Sequence, residues 1–124
     1  MKLAVVGINH RTAPLEVLEQ LAVVGTDLEG ADKRLAARTG QAVVLHTCNR
    51  TEFYTIAEDT QDAEEAVSEF LEEKYGILYA SMVPYVYSYF HTDAVNHLFR
   101  VTCSLDSMIL GESEVLGQVR EAFG

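Results

Sequence analysis

The chain has 124 residues, which is enough for one domain with a modest core. Hydrophobic residues make up 48% of it, and no apolar run is long enough for a membrane span or a signal peptide, so we expect a cytoplasmic globular protein. The net charge of −10, from 19 acidic and 9 basic residues, disfavours non-specific binding to a nucleic-acid backbone but leaves open a nucleic-acid substrate held at one point.

The first half of the chain reads as a strand followed by two helices. Leu3 to Ile8 is a β-branched run that predicts a strand. A helix follows, with Thr12 or Ala13 at its cap and Pro14 in its first turn. Its predicted common face holds Leu15, Leu18, Leu21 and Ala22. A second helix is predicted from Leu28 to Arg38, and Gly40 ends it.

The second half begins with a predicted hairpin of Gln41 to His46 and Thr51 to Ala57, joined by a loop of Thr47-Cys48-Asn49-Arg50. Asp62 to Tyr75 predicts an amphipathic helix ending at Gly76, and Pro84 to Phe90 a tyrosine-rich strand. The inward positions of that helix are Ala66, Val67, Phe70 and Leu71. Thr92-Asp93 caps a helix from about Ala94 to Leu110, and a last helix starts near Glu112 or Ser113.

The order β, α, α, β, β, α, β, α, α indicates an α+β fold. The central hairpin argues against a wholly parallel sheet. We predict a split βαβ, ferredoxin-like and mainly antiparallel sheet with additional C-terminal helices. Because the sequence ends inside a helical pattern, we expect residues 1–124 to be one domain of a longer protein.

Cys48 is the sharpest chemical feature. It lies in a polar loop two residues from Arg50, and a cation near a thiol favours the reactive thiolate. The alternative is a half-buried structural cysteine. The second cysteine, Cys103, falls within a predicted helix, where we expect a buried and inert thiol. A disulfide between the two is not expected in a reducing compartment.

The helix after Thr92 carries a second candidate, His97. His97, Arg100, Ser104 and Ser107 fall on one polar stripe at helical spacing. Another stripe is largely apolar and holds Val95, Leu98, Thr102, Leu105 and Ile109. The first stripe therefore either offers an imidazole and a guanidinium to a ligand or is a solvated face.

The corner Gly111-Glu112-Ser113-Glu114 is the third candidate, with Gln118 on the same face as Glu114. It presents two carboxylates that can bind an ammonium or a hydroxyl group, although favourable charge at a helix N-terminus explains Glu114 equally well. A metal site of Asp106, Glu112 and Glu114 has no histidine spacing to support it.

Three stretches together resemble the glutamyl-tRNA reductase family. They are Gly7-Ile8-Asn9-His10-Arg11-Thr12-Ala13-Pro14, then His46-Thr47-Cys48-Asn49-Arg50-Thr51-Glu52, and then Ser104-Leu105-Asp106-Ser107-Met108-Ile109-Leu110-Gly111-Glu112 with Leu116-Gly117-Gln118-Val119. The resemblance covers nearly the whole chain and corresponds to the N-terminal catalytic domain. The family's dinucleotide-binding and dimerising domains are absent from these 124 residues.

The resemblance implies an oxidoreductase that uses NADPH to reduce the glutamyl group of glutamyl-tRNA to glutamate semialdehyde, in the tRNA-dependent route to tetrapyrroles such as haem. It implies Cys48 as the nucleophile and His97 as an activity-supporting residue. The implied substrate contacts are Thr47, Asn49, Arg50, Ser107, Glu112, Ser113, Glu114 and Gln118. It also implies a homodimer in the full-length protein, a partnership with glutamate semialdehyde aminomutase, and no membrane.

Two other functions stay open on the residues alone. One is a non-catalytic ferredoxin-like module that binds a partner through Tyr85, Tyr87 and Tyr89. The other is a cysteine-dependent acyltransferase or hydrolase unrelated to tRNA.

Overall fold

A computed structural model describes residues 1–106, and within this range the chain forms four strands and five α-helices. They are β1 (Lys2–Asn9), α1 (Leu15–Gln20), α2 (Ala22–Gly25), α3 (Leu28–Thr39), β2 (Ala42–Thr47), β3 (Arg50–Ala57), α4 (Thr60–Tyr75), β4 (Tyr87–Phe90) and α5 (Thr92–Asp106). Two 3-10 turns, Tyr79–Ser81 and Val83–Tyr85, connect α4 to β4. None of the helices in this range is long and apolar enough to cross a membrane.

The four strands form one sheet in the order β2-β3-β1-β4, and every neighbouring pair is antiparallel. Because β3 lies between β1 and β2, the β1-to-β2 connection is a split βαβ unit, and α4 makes the second crossover from β3 to β4. The predicted α+β, ferredoxin-like class is therefore confirmed.

Both faces of the sheet are covered, since successive strand residues point to opposite sides. The first face packs against helices α1 to α4, and its core includes Val6, Phe53 and Phe70. The second face packs against α5, and its core includes Val5 and Tyr54. Side chains of the strands therefore pack against helices on both faces of the sheet.

The first helix differs from the prediction in its start and in its buried side. The Asn9 side chain accepts hydrogen bonds from the backbone N–H groups of Arg11 and Thr12, so these residues form a turn and Pro14 becomes the cap. Val17 is buried, whereas Leu15 is 64% exposed. The predicted face was wrong at Leu15, because the helix packs through positions rotated away from it, and at Ala22, which is exposed and belongs to α2.

The other helix ends follow the sequence signals. Gly40 ends α3 with φ 99°, and Gly76 ends α4 with φ 68°, both in the region that glycine adopts most readily. The α4 side chains of Val67, Phe70 and Leu71 are buried as predicted, with Ala63 in place of the half-buried Ala66. The short helix α2 was not predicted.

Candidate active site

Cys48 lies at the tip of the β2–β3 hairpin. Thr47 and Arg50 pair directly across the two strands, so Cys48 and Asn49 alone form the turn. The Asn49 N–H donates to the Thr47 hydroxyl (3.2 Å), and the Asn49 carbonyl accepts from the N–H of His10 (2.9 Å). These bonds fix the tip against the loop after β1, and the Cys48 thiol is exposed there as predicted.

One side of the tip opens into a cleft of about 180 Å³ between the hairpin and helices α1 and α2, here called the Cys48 cleft. It is smaller than the roughly 300–1,000 Å³ of pockets for drug-sized ligands, and so suits a small group. Its lining is Leu15, Leu18, Glu19, Ala22, His46, Thr47, Cys48 and Thr51. The exposed Leu15 therefore contributes an apolar wall beside the thiol.

His46 forms another wall of the Cys48 cleft. Its Nδ1 lies 2.8 Å from the hydroxyl oxygen of Thr51, and its ring packs directly on Gly25, where a Cβ atom would lie 2.1 Å from Cδ2. Burial lowers the pKa of the imidazole, so His46 is neutral at neutral pH. The sequence pattern gave His46 no role, although it lies only two residues before Cys48 in the predicted hairpin.

The other face of the sheet holds a buried carboxylate. The Glu52 side chain is 0% exposed and binds four side chains. Its Oε1 accepts from the Tyr54 hydroxyl at 2.6 Å. Its Oε2 accepts from the Tyr87 hydroxyl (2.5 Å) and Arg50 NH1 (3.2 Å), and it lies 2.5 Å from His97 Nε2. These five residues, Arg50, Glu52, Tyr54, Tyr87 and His97, are the Glu52 cluster.

Gly7 makes the Glu52 cluster possible. The sheet register places Gly7 of β1 between Glu52 of β3 and Tyr87 of β4. A Cβ atom on Gly7 would lie 2.8 Å from Glu52 Cγ and 3.0 Å from the carbonyl oxygen of Thr51. Since Gly7 has no side chain, the Tyr87 hydroxyl reaches across β1 to the carboxylate.

His97 lies on the buried side of α5 and not on an exposed stripe, so that prediction was wrong. Its exposure is 8%, and it shares the helix face of Ala94 and Val101, three positions before it and four after it. Its ring centroid is 5.3 Å from that of Tyr87 and 4.9 Å from that of Tyr89. The predicted apolar stripe fails at Val95, which is exposed. A polar residue occupies the buried face because Glu52 provides its partner.

The Glu52 cluster keeps its carboxylate ionised. Burial alone would raise the pKa of Glu52, but hydrogen bonds and charge from His97, with the hydroxyls of Tyr54 and Tyr87, outweigh it and leave the pKa below the ordinary value. Burial, then the neighbouring Glu52 charge, raises the pKa of both tyrosines, so both remain protonated donors. Because ionised Glu52 only accepts, His97 must carry a proton on Nε2.

The described residues that were predicted for the site thus lie on two different sides of the hairpin tip. Arg50 and His97 meet through Glu52, a residue of the Cys48 motif for which the sequence predicts no role. Cys48 and Thr47 line the cleft on the other side of the hairpin tip. The remaining predicted contacts, Ser107, Glu112, Ser113, Glu114 and Gln118, lie outside the described residues, as do the predicted last helix and the end of its predecessor at Leu110.

Two further expectations can be compared with the structure. Cys103 is exposed and not buried, because it follows the exposed Phe99 by one helical turn on the outer side of α5. Tyr87 and Tyr89 turn inward against His97, and Tyr85 is partly buried against the first core, so these rings do not present a free binding strip.

The loop after β1 does not fit the phosphates of a dinucleotide cofactor. Phosphate-binding loops need several glycines and free backbone N–H groups at a helix start. After β1 the Asn9 side chain already occupies the N–H groups of Arg11 and Thr12, and Gly7 faces Glu52.

Comparison with known proteins shows what the chain is similar to. The family model described as the N-terminal domain of glutamyl-tRNAGlu reductase matches residues 6–124. Glutamyl-tRNA reductases from Carboxydothermus hydrogenoformans and Shewanella oneidensis are 47% and 44% identical, over 99% of this chain and 28% and 29% of their own lengths. The solved glutamyl-tRNA reductase from Methanopyrus kandleri is 30% identical, with a TM-score of 0.52, over 98% of this chain and 27% of that one.

Proposed function

Because this chain belongs to the glutamyl-tRNA reductase family, as its N-terminal domain, we propose that residues 1–124 form the catalytic domain that accepts the glutamyl group of glutamyl-tRNA. The observation that carries the proposal is the exposed Cys48 thiol at a rigid hairpin tip, with an open cleft on one side and Arg50 leading to a buried carboxylate and imidazole on the other. The chain spans a little more than a quarter of the relatives it matches, so the activity of a whole reductase needs further parts.

The proposed reaction of this domain is acyl transfer. The Cys48 sulfur forms a bond to the ester carbonyl carbon, and the bond from that carbon to the tRNA ribose oxygen breaks. The proton lost by the thiol ends on the ribose oxygen. The product is a glutamyl thioester on Cys48 and uncharged tRNA.

The other predicted site residues receive the following proposed roles. Arg50 uses one N–H on Glu52 and has further donors for a substrate carboxylate. His97 assists the transfer of a proton to the leaving ribose oxygen. Thr47 and Asn49 shape the hairpin tip, while Ser107, Glu112, Ser113, Glu114 and Gln118 are proposed as further substrate contacts.

We assign the reduction to other parts of a full-length protein. NADPH is the expected hydride donor in this family, but the described residues offer no site for it, so no reducing step is derived from them. We further propose cytoplasmic location, tetrapyrrole biosynthesis as the pathway, a homodimer formed outside this chain, and glutamate semialdehyde aminomutase as a partner.

The test uses glutamyl-tRNA bearing labelled glutamate, at concentrations above its measured binding constant. After acid quenching, we expect label on Cys48 by peptide mass spectrometry, slow release of free glutamate, and no semialdehyde with or without NADPH. Cys103→Ser is the matched control because it removes the other exposed thiol and should leave labelling intact. Equal deacylation by Cys48→Ser, or an absence of both thioester and accelerated deacylation, would favour the non-catalytic module. Semialdehyde formation by this chain would contradict the assignment of reduction elsewhere.

A further inference from the structure

Tyr87 contacts two other members of the Glu52 cluster, one through its hydroxyl and one through its ring. Its hydroxyl donates to the Glu52 oxygen that also bonds His97, at 2.5 Å in each case. Its ring also lies beside the imidazole, with a centroid distance of 5.3 Å. By contrast, Tyr54 binds the opposite oxygen of the carboxylate, and Tyr89 contacts the imidazole by its ring.

The ionised state of Glu52, to which Tyr87 donates, decides which nitrogen of His97 carries the proton. Ionised Glu52 accepts only, so a neutral His97 imidazole keeps its single proton on Nε2 and leaves Nδ1 without one. If Glu52 were protonated, it would donate to Nε2 and the imidazole would carry its proton on Nδ1. A donor that keeps Glu52 ionised and fixed therefore sets the imidazole tautomer.

We propose that Tyr87 is a positioning residue for the acyl-transfer reaction, holding Glu52 through its hydroxyl and His97 through its ring so that the imidazole keeps one tautomer and one orientation. The inference rests on the proposed function, in which His97 handles the proton of the leaving ribose oxygen. Tyr87 acts through these two neighbours and not on the substrate.

Removing the hydroxyl should change the pH dependence of the reaction. The groups facing Glu52 are Tyr54 and Arg50 on its own strand, Tyr87 from β4 and His97 from α5, while β1 and β2 present Gly7 and Leu45. With one donor fewer, the buried carboxyl becomes easier to protonate, so its pKa rises. The acid limb of acylation then moves to higher pH.

The experiment compares Tyr87→Phe with Tyr89→Phe. Both changes keep an aromatic ring on the imidazole, but only the first removes a hydroxyl bonded to Glu52. For Tyr87→Phe we expect acylation of Cys48 by glutamyl-tRNA to slow at least about tenfold at neutral pH, as for a lost hydrogen bond to a charged group, with the acid limb displaced upward. Tyr89→Phe should match the wild type. Identical rates and pH profiles in the two variants would overturn the proposal.

A second readout keeps the inference separate from the proposed function. Long-range ¹H–¹⁵N NMR of the His97 ring reports its tautomer without any substrate. For the neutral imidazole, we expect the Nε2-protonated form in the wild type and in Tyr89→Phe, and a mixture in Tyr87→Phe. If the three proteins show these expected tautomers but the wild type is not acylated, the proposed function fails and the positioning by Tyr87 stands. If all three proteins show the same tautomer at every pH, the positioning fails whatever the acylation rates are.

Discussion

The substitution Gly7→Ala tests the packing that holds the Glu52 cluster together. The new Cβ atom would lie 2.8 Å from Glu52 Cγ, 3.0 Å from the Thr51 carbonyl oxygen and 3.3 Å from the Glu52 Cα. Two of these three neighbours are backbone atoms held by the β1–β3 pairing, so they cannot easily move. The Glu52 side chain must therefore shift, and its carboxylate must leave at least one of its donors.

The expected loss of stability follows from three contributions. Inserting a methyl group into a packed site costs about 1–3 kcal/mol. Displacing one hydrogen bond to a charged group costs about 1.5–3 kcal/mol. The lower entropy of alanine in the unfolded chain returns about 0.4–1 kcal/mol. We expect the free energy of unfolding to fall by roughly 2–5 kcal/mol, a large share of the roughly 5–15 kcal/mol typical of a domain.

The assay is urea unfolding of a double-mutant cycle with Glu52→Ala, which removes the Cγ atom that the new methyl group meets. If the Glu52 side chain causes most of the loss, Gly7→Ala should cost at least about 1 kcal/mol less in the Glu52→Ala background. An equal cost in both backgrounds would show that the Thr51 carbonyl sets the penalty and would refute the argument that Gly7 serves the Glu52 cluster.

Three further predictions follow from charges in the structure. In a full-length reductase, Arg50→Lys should weaken transition-state binding by about 1.5–3 kcal/mol. One ammonium group cannot replace a guanidinium that holds Glu52 and a substrate carboxylate together. An unchanged kcat/KM would exclude this role for Arg50. The pKa of Glu52 is lower in the folded than in the unfolded protein, so its ionised side chain contributes fully to stability above about pH 4.3, the pKa of free glutamate. This contribution is lost as the pH falls through the lower folded-state pKa. The urea midpoint should therefore fall less on acidification in Glu52→Gln than in the wild type. This chain should bind uncharged tRNA weakly, since its charge is −10 and Lys33 and Arg38 already pair with glutamates; a submicromolar dissociation constant at physiological salt would contradict this.

The order of strands and helices along the chain could be predicted because its signals are local. The β2–β3 hairpin is marked by an apolar run and an alternating run around a four-residue polar segment, and Gly40 and Gly76 mark the helix ends. The exact turn was narrower than the predicted loop, since Thr47 and Arg50 belong to the strands. The cap of α1 could not be predicted in this way. The Asn9 side chain binds the backbone N–H groups of two following residues and holds them in a turn, and the residues typical of helix caps do not reveal this.

The site was harder to predict because its contacts join residues far apart in sequence. His97 and Glu52 are 45 positions apart, and helical periodicity assigns a histidine to a polar side unless its buried partner is known. A signal did exist, since Ala94, His97 and Val101 have the spacing of one helix face. Glu52 itself looks like the outward residue of an alternating strand, an interpretation that holds only when one face of the sheet is open to solvent.

The hairpin tip is the place where the two sides of the proposed site meet. Side chains from His46 and Thr51 approach Cys48 on the side of α1 and α2, while Arg50 turns to the side of Glu52 and α5. An acyl group attached to Cys48 can therefore reach an apolar cleft or a guanidinium without crossing the sheet. The acidic carboxylate of a glutamyl group is better matched to Arg50, because the cleft offers the Glu19 carboxylate and a neutral His46. Under the proposed function, the cleft is then left for the part of the substrate near the ester bond, where the α-ammonium of the glutamyl group carries the charge opposite to the Glu19 carboxylate.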